Sequence, residues 1–271
     1  MKHVHHLLIC MSLLIFTSCL DVVEVDLEEA TPRVVFDASM KWENGEAANE
    51  QTIQVSRTRN FFEDEIDWVS GANIQIVDPN NTIVNFEEVE PGQYKTDAFL
   101  AEIDEEYQLE IELEGKSYQA NEAFVNRTVI DTIVQGEDGG FTGGEKEVIV
   151  YFMDNVEEEN YYLTRFNTDF LAFPEVDLQS DEFSNGNRMS SSFSDEDLES
   201  GDLVEIEFYS ISKAYYDFLF KLLLQTGSAG GPFQAQPATV RGNIININDF
   251  DDYPFGYFSL STFEKVSFTI E

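Results

Sequence analysis

Hard oxygen donors crowd one short stretch, NINDFDDYP at 246–254, where Asn246, Asn248, Asp249, Asp251 and Asp252 lie close enough in sequence to ligate a calcium ion. Asp249, Asp251 and Asp252 are the calcium candidates, although the stretch lacks the twelve-residue loop order with glycine sixth and glutamate twelfth. An ordinary acidic surface turn accounts for the same residues. Asp195, Asp197 and Asp202 in SDEDLESGD allow the same two readings. Hydrolysis of a glycosidic bond needs two carboxyl groups set on opposite sides of that bond. The chain supplies 53 Asp and Glu, but no motif selects a pair, so the expectation is no catalytic residue and no enzyme. A calcium-dependent carbohydrate-binding module or hydrolase is the lesser alternative. The glycine-rich GEDGGFTGGEKE, residues 136–147, has acids where a phosphate would sit and lacks the GxxxxGK[ST] order, which makes it a loop between strands.

Nucleophile and metal chemistry that depends on imidazole or thiol is confined to the N-terminus. The histidines are His3, His5 and His6, and the cysteines are Cys10 and Cys19. Lys2 precedes an apolar run from Leu7 to Phe16, which is too short for a permanent membrane helix, and Thr17 and Ser18 are small residues suited to a peptidase pocket. Residues 1–18 are therefore expected to be a signal peptide that is removed. FTSC at 16–19 resembles the lipobox of bacterial lipoproteins, which makes Cys19 the lipid attachment point. A thioether-linked diacylglycerol plus an amide-linked chain anchors firmly where one acyl chain would not. Cleavage before Cys19 removes every histidine and leaves one cysteine, committed to lipid. A disulfide, a histidine-based triad and a Cys/His zinc site are then all excluded from the mature chain.

The charge balance excludes another class of function. Fifteen Lys and Arg against 53 acids give a formal charge of −38 and a pI near 4.1, which repels nucleic-acid phosphates and anionic lipid head groups. With 42% hydrophobic and 13% aromatic residues, the same chain has ample material for folded cores.

The elements that must position any site are mostly strands. LDVVEVDLEEATP after Cys19 is an acidic tether, so that residues 19–31 form the lipidated segment. From Pro32 onward RVVFDASMKW, TIQVSRTR, ANIQIVD, TIVNFEEV, GQYKTDAF, YQLEIELEG and KSYQANEAF are rich in β-branched and aromatic residues. Glu43-Asn44-Gly45, Asp78-Pro79-Asn80-Asn81, Pro91-Gly92 and Glu114-Gly115 separate them as turns. Seven such strands predict an antiparallel β-sandwich of immunoglobulin-like or transthyretin-like type over residues 32–125. In YQLEIELEG the apolar residues Tyr107, Leu109, Ile111 and Leu113 share one face, while Gln108, Glu110, Glu112 and Glu114 form a solvated one.

Residues 126–271 predict a second β-rich domain. EVIVYFMDN and NYYLTRFNTDFLAF alternate as strands, whereas the polar segment from Pro174 to Ser194 reads as a long loop. One helix is predicted at about 212–226, with Gly227 as its stop. Apolar residues nearly surround its axis from Tyr215 to Leu224, so burial on most sides is expected. ATVRGNIININ, GYFSLS and EKVSFTIE return to strand. The whole is a mainly β protein. Tyr161, Tyr162, Tyr215, Tyr216, Phe255, Tyr257 and Phe258 form tight aromatic groups suited to a core or an interface.

The order of these pieces resembles a family of Bacteroidetes outer-membrane lipoproteins of unknown function, DUF4249. The resemblance is carried by FTSC at 16–19, RVVFDAS at 33–39, SGANIQIVD at 70–78, PGQYKTD at 91–97, YQLEIELEGKSYQA at 107–120 and NYYL at 160–163. SGDLVEIEFYSISKAYYDFL at 200–219, GGPFQAQPATVRGNI at 230–244 and PFGYFSLS at 254–261 complete it. It implies a non-enzymatic lipoprotein on the outer membrane, facing the cell exterior, whose partner is a TonB-dependent receptor for nutrient uptake. It implies no cofactor and no functional residue except Cys19. A structural or assembly lipoprotein of the envelope is the alternative.

Overall fold

The computed structural model describes residues 31–43, 50–60, 63, 65–125, 128–226 and 239–271. The signal peptide, Cys19 and nearly all of the tether lie outside the described residues.

Alternating burial builds the first strands. In β1 (Val34–Glu43), Phe36, Ala38, Met40 and Trp42 point into a core while Asp37, Ser39 and Lys41 point away. The same alternation runs through β2 (Gln51–Arg57), β4 (Asn73–Val77) and β6 (Gln93–Thr96), and through β7 (Glu106–Leu113) and β8 (Lys116–Ala123). Short β3 (Asp67–Trp68) hangs on β2. Strand β5 (Ile83–Glu90) turns the corner: Ile83 to Phe86 pair with β4, and Glu87 to Glu90 pair with β6 across a bulge. The inward faces of β1, β2 and β6 thereby meet those of β4, β7 and β8 in one core, with Ile53, Ile74, Leu109 and Tyr94 fully or almost fully buried. Every pairing among these eight strands is antiparallel. The solvated face of YQLEIELEG is present, with Glu112 exposed and Glu110 accepting from Gln75 Nε2 at 2.6 Å.

The remaining strands are β9 (Ile130–Gly139), β10 (Glu145–Met153), β11 (Tyr161–Asn167), β12 (Glu175–Ser180), β13 (Arg188–Ser194), β14 (Leu203–Ile211), β15 (Ile245–Asn246) and β16 (Phe255–Thr269). Strands β13, β10 and β9 form a three-stranded sheet. All the others except β3, which pairs with β2 off the path, follow the order β12-β11-β14-β16-β1-β2-β6-β5-β4-β7-β8-β15. Among the described residues its ends do not pair with each other, so no barrel closes there.

Strand β16 links the two halves of this path. Its first part pairs parallel with β1, from Val35↔Phe255 to Glu43↔Phe263, and its second part pairs antiparallel with β14. Phe258 and Leu260 therefore enter the first core, whereas Phe268 packs on a second core made by Val148, Val150, Phe166, Phe193, Val204 and Ile206. The chain leaves the first core after Phe124 and then returns to it through Ile244 and β16. Pro32–Glu271 forms one compact unit.

Three expectations are corrected. The segment from Pro174 to Ser194 is not a long loop: it forms β12 and β13. Its strand signal is muted because β13 shows only Met189 and Phe193 as large inward residues, with buried Ser191 between them, and because β12 is an edge strand. GYFSLS and EKVSFTIE are one continuous strand. The helix, α1 (Lys213–Thr226), lies where it is expected but is not buried on most sides: Phe220 and Leu222 are 42% and 38% exposed. One face alone packs, on Leu163, Tyr209 and Ile211 of the sheet.

Candidate functional site

The helix begins where Ser212 caps it. Ser212 Oγ accepts from the amide of Tyr215 at 3.1 Å, and its carbonyl accepts from that of Tyr216 at 2.9 Å. Lys213 and Asp217 pair one turn apart at 3.6 Å. Aromatic rings then fasten the first two turns to the sheet. Tyr216 lies 5.1 Å from Tyr161, while Tyr215 and Phe218 lie 4.9 and 4.7 Å from Tyr257.

Beyond those contacts the helix stands over small side chains. Ser39 is registered with Ser259 and Lys41 with Ser261 on the outward face of β1 and β16; Ser39 and Ser259 hydrogen-bond with Tyr215 of the helix, and past that residue the short side chains leave a space beneath it. The result is a cavity of about 480 Å³, within the range of small-molecule sites. Tyr215, Leu219, Leu222 and Leu223 roof it, serines and Thr52 floor it, and Leu163 and Val176 supply an apolar wall. Lys41 and Arg165 stand at its edge and also line a smaller cavity of about 280 Å³ beside Glu205 and Glu207.

Hydrogen bonds tie this edge together. Tyr209 donates to Glu207 Oε2 at 2.6 Å, Arg165 reaches the same oxygen at 3.5 Å, and Lys41 Nζ donates to the Tyr209 hydroxyl at 3.4 Å. The ammonium also lies 5.7 Å from the centre of the Phe263 ring. Burial, reinforced by the hydrogen bond to Glu207, pushes the Tyr209 phenol above its ordinary range, so it stays a donor at any physiological pH. The arrangement holds a row of donors beside an apolar slot.

The acidic candidates are engaged in local hydrogen bonds and one ion pair. Asn246 Oδ1 accepts from the amides of Asn248 and Asp249, Asp249 accepts from the amide of Asp251, and Asp252 pairs with Lys116 at 2.6 Å. Asp195 and Asp202 likewise accept from the nearby amides of Asp197 and Glu199. Asp249, Asp251 and Asp252 line neither cavity, and among the described residues no three His, Cys, Asp or Glu side chains gather as a metal site. Sequence reasoning did not single out Lys41, Arg165, Ser39, Ser259 or Ser261. The available signal was small and polar residues on the outward face of two strands, in a chain with one unusually apolar helix.

The model of the family described as "Domain of unknown function (DUF4249)" matches residues 21–267. The chain belongs to this family. No curated protein sequence matches it. Among solved structures, it is similar to a DUF4785 family protein from Legionella pneumophila, with 10% identity and a TM-score of 0.28. The match covers 65% of this chain and 52% of the other, so the DUF4249 chain spans about half the length of that protein. A segment of two fibronectin type-III domains from chicken tenascin matches with 12% identity and a TM-score of 0.23, over 60% of this chain and 85% of the other.

Proposed function

We propose that this DUF4249 protein is a non-enzymatic lipoprotein, anchored through Cys19 to the outer membrane and facing the cell exterior, that works as a binding or accessory partner of a TonB-dependent nutrient transporter. We also assign its N-terminal strands to the immunoglobulin-like or transthyretin-like sandwiches, on strand number and alternation. The observation that carries the functional reading is the cavity under α1. A roof of Tyr215, Leu219 and Leu222 over a hydroxyl-bearing floor is the composition of a capture site: apolar area for affinity and a few polar groups for orientation. The lipid would hold the protein beside its transporter and raise their local concentration.

The exposed side chain of Phe220 favours a second reading, in which the outer face of α1 is a permanent contact of an envelope assembly without substrate. Affinity purification from native-like envelopes through a C-terminal tag, with mass spectrometry, separates the two. Stoichiometric recovery of a TonB-dependent receptor supports the accessory reading. Recovery of the lipoprotein alone, under conditions that preserve known envelope complexes, overturns it, and recovery of other envelope proteins without a receptor favours assembly.

A further inference from the structure

We infer that the cavity under α1 takes a small amphipathic anion: an alkyl carboxylate whose apolar body lies beneath Leu219 and Leu223 and whose carboxylate meets Lys41 and Arg165. This rests on the reading of the cavity as a ligand site, and adds the chemical class of the ligand.

Charge placement is the first argument. Acids outnumber bases 53 to 15 in the chain, yet the main cavity is lined by two cations and a single acid, Asp37. The second argument is how the local charges are partnered. Asp37 accepts from the Ser39 hydroxyl at 2.7 Å, Glu207 accepts from Tyr209 at 2.6 Å, and Glu205 pairs with Lys265 at 3.2 Å, so the nearby carboxylates have partners within the protein. The contact from Arg165 to Glu207, at 3.5 Å, lies at the outer limit of hydrogen bonding. A ligand carboxylate offers two oxygens at shorter range and matches the guanidinium fork. The third argument is the rest of the slot. The leucines of α1 give an apolar body somewhere to go, and short Ser261 lines the slot opposite them.

The test uses the full mature chain carrying Cys19→Ser, purified without lipid, and isothermal titration with octanoate, decanoate, decanol and decyltrimethylammonium. Decanoate is expected to bind at least tenfold tighter than decanol or the ammonium probe, and about fourfold tighter per methylene than octanoate. Lys41→Gln and Arg165→Met should each weaken decanoate at least fivefold and leave decanol unchanged, with circular dichroism confirming the fold. If Arg165→Met fails to fold, Lys41→Gln, on an exposed strand face, decides alone. Equal affinity for decanoate and decanol, preference for the cation, or no binding by the folded chain overturns the inference. Anionic phosphatidylglycerol vesicles that bind while free decanoate does not also overturn it, by making the ligand an intact lipid surface. Loss of the receptor in the purification above would leave these affinities unchanged, so the two readings fail separately.

Discussion

Lys41 and Tyr209, separated by 168 residues in sequence, meet at 3.4 Å between ammonium and hydroxyl although their strands are not neighbours: β16 runs between β1 and β14, pairing Ser261 with Lys41 and Phe263 with Tyr209. The ring of Phe263 stacks on Tyr209 and lies 5.7 Å from the ammonium, so the lysine reaches across the middle strand beside it. The contact couples the strand that opens the first core to a strand of the second, at the edge of the cavity.

That coupling is measurable. Tyr209 is almost fully buried and donates to the Glu207 carboxylate, so Tyr209→Phe is expected to cost about 1.5–3 kcal/mol, the range for a hydrogen bond to a charged group. Combined with Lys41→Met in urea denaturation, the double variant should depart from additivity by about 0.5 kcal/mol or more. Additive losses would mean that the ammonium contributes nothing through the phenol.

Gly256 sits at φ +96°, and a Cβ there would lie 1.9 Å from the carbonyl oxygen of Phe36 on the paired strand. An alanine meets both a backbone conformation that L-residues avoid and a fixed atom of a core strand. Gly256→Ala should therefore destabilise by at least about 1–3 kcal/mol, the cost of such backbone strain alone. A denaturation midpoint equal to that of the parent would show that β1 and β16 can part at this end without penalty.

The local elements of this fold can be read from residue types because each reports on itself. Phe36, Ala38, Met40 and Trp42 alternate with polar residues in β1, and Ser212 precedes an apolar run at the start of α1, so the strand and helix are visible within a few residues. β13 could not be read in this way, since Ser191 fills a buried position that a strand usually gives to a larger apolar residue. The parallel partnership of β1 with β16 joins residues more than 200 positions apart, which no local pattern encodes. The cavity depends on that partnership. Its cations come from β1 and β11 and its roof from α1, so the site becomes visible only when the sheet is assembled. The acidic cluster at 249–252 drew attention by being contiguous, and contiguity is what a turn requires.

Cys19 carries the anchoring hypothesis. Cys19→Ser should abolish incorporation of labelled palmitate and move the protein out of the outer-membrane fraction. Residual labelling together with unchanged fractionation would place the anchor elsewhere.

Glu122 makes stability depend on pH. Its side chain is buried, 5% exposed, beside the hydroxyls of Ser212 and Tyr257, and accepts from the amide of Ala123 at 3.1 Å. Loss of solvation holds the carboxyl above its ordinary range, outweighing hydrogen bonds from Ser212, Tyr257 and Ala123 that favour its ionised form. Below about pH 4.3, where an unfolded glutamate is itself protonated, the group costs nothing. As pH rises past that value, the unfolded chain releases its proton while the folded chain keeps it, so stability falls until the folded carboxyl ionises as well. Glu122→Gln removes this proton difference. The melting temperature of the variant, compared with that of the parent from pH 4 to pH 8, should gain steadily through the window just above the ordinary carboxylate range and then hold its advantage. Parallel curves across the whole range would show that Glu122 reaches solvent in the folded protein.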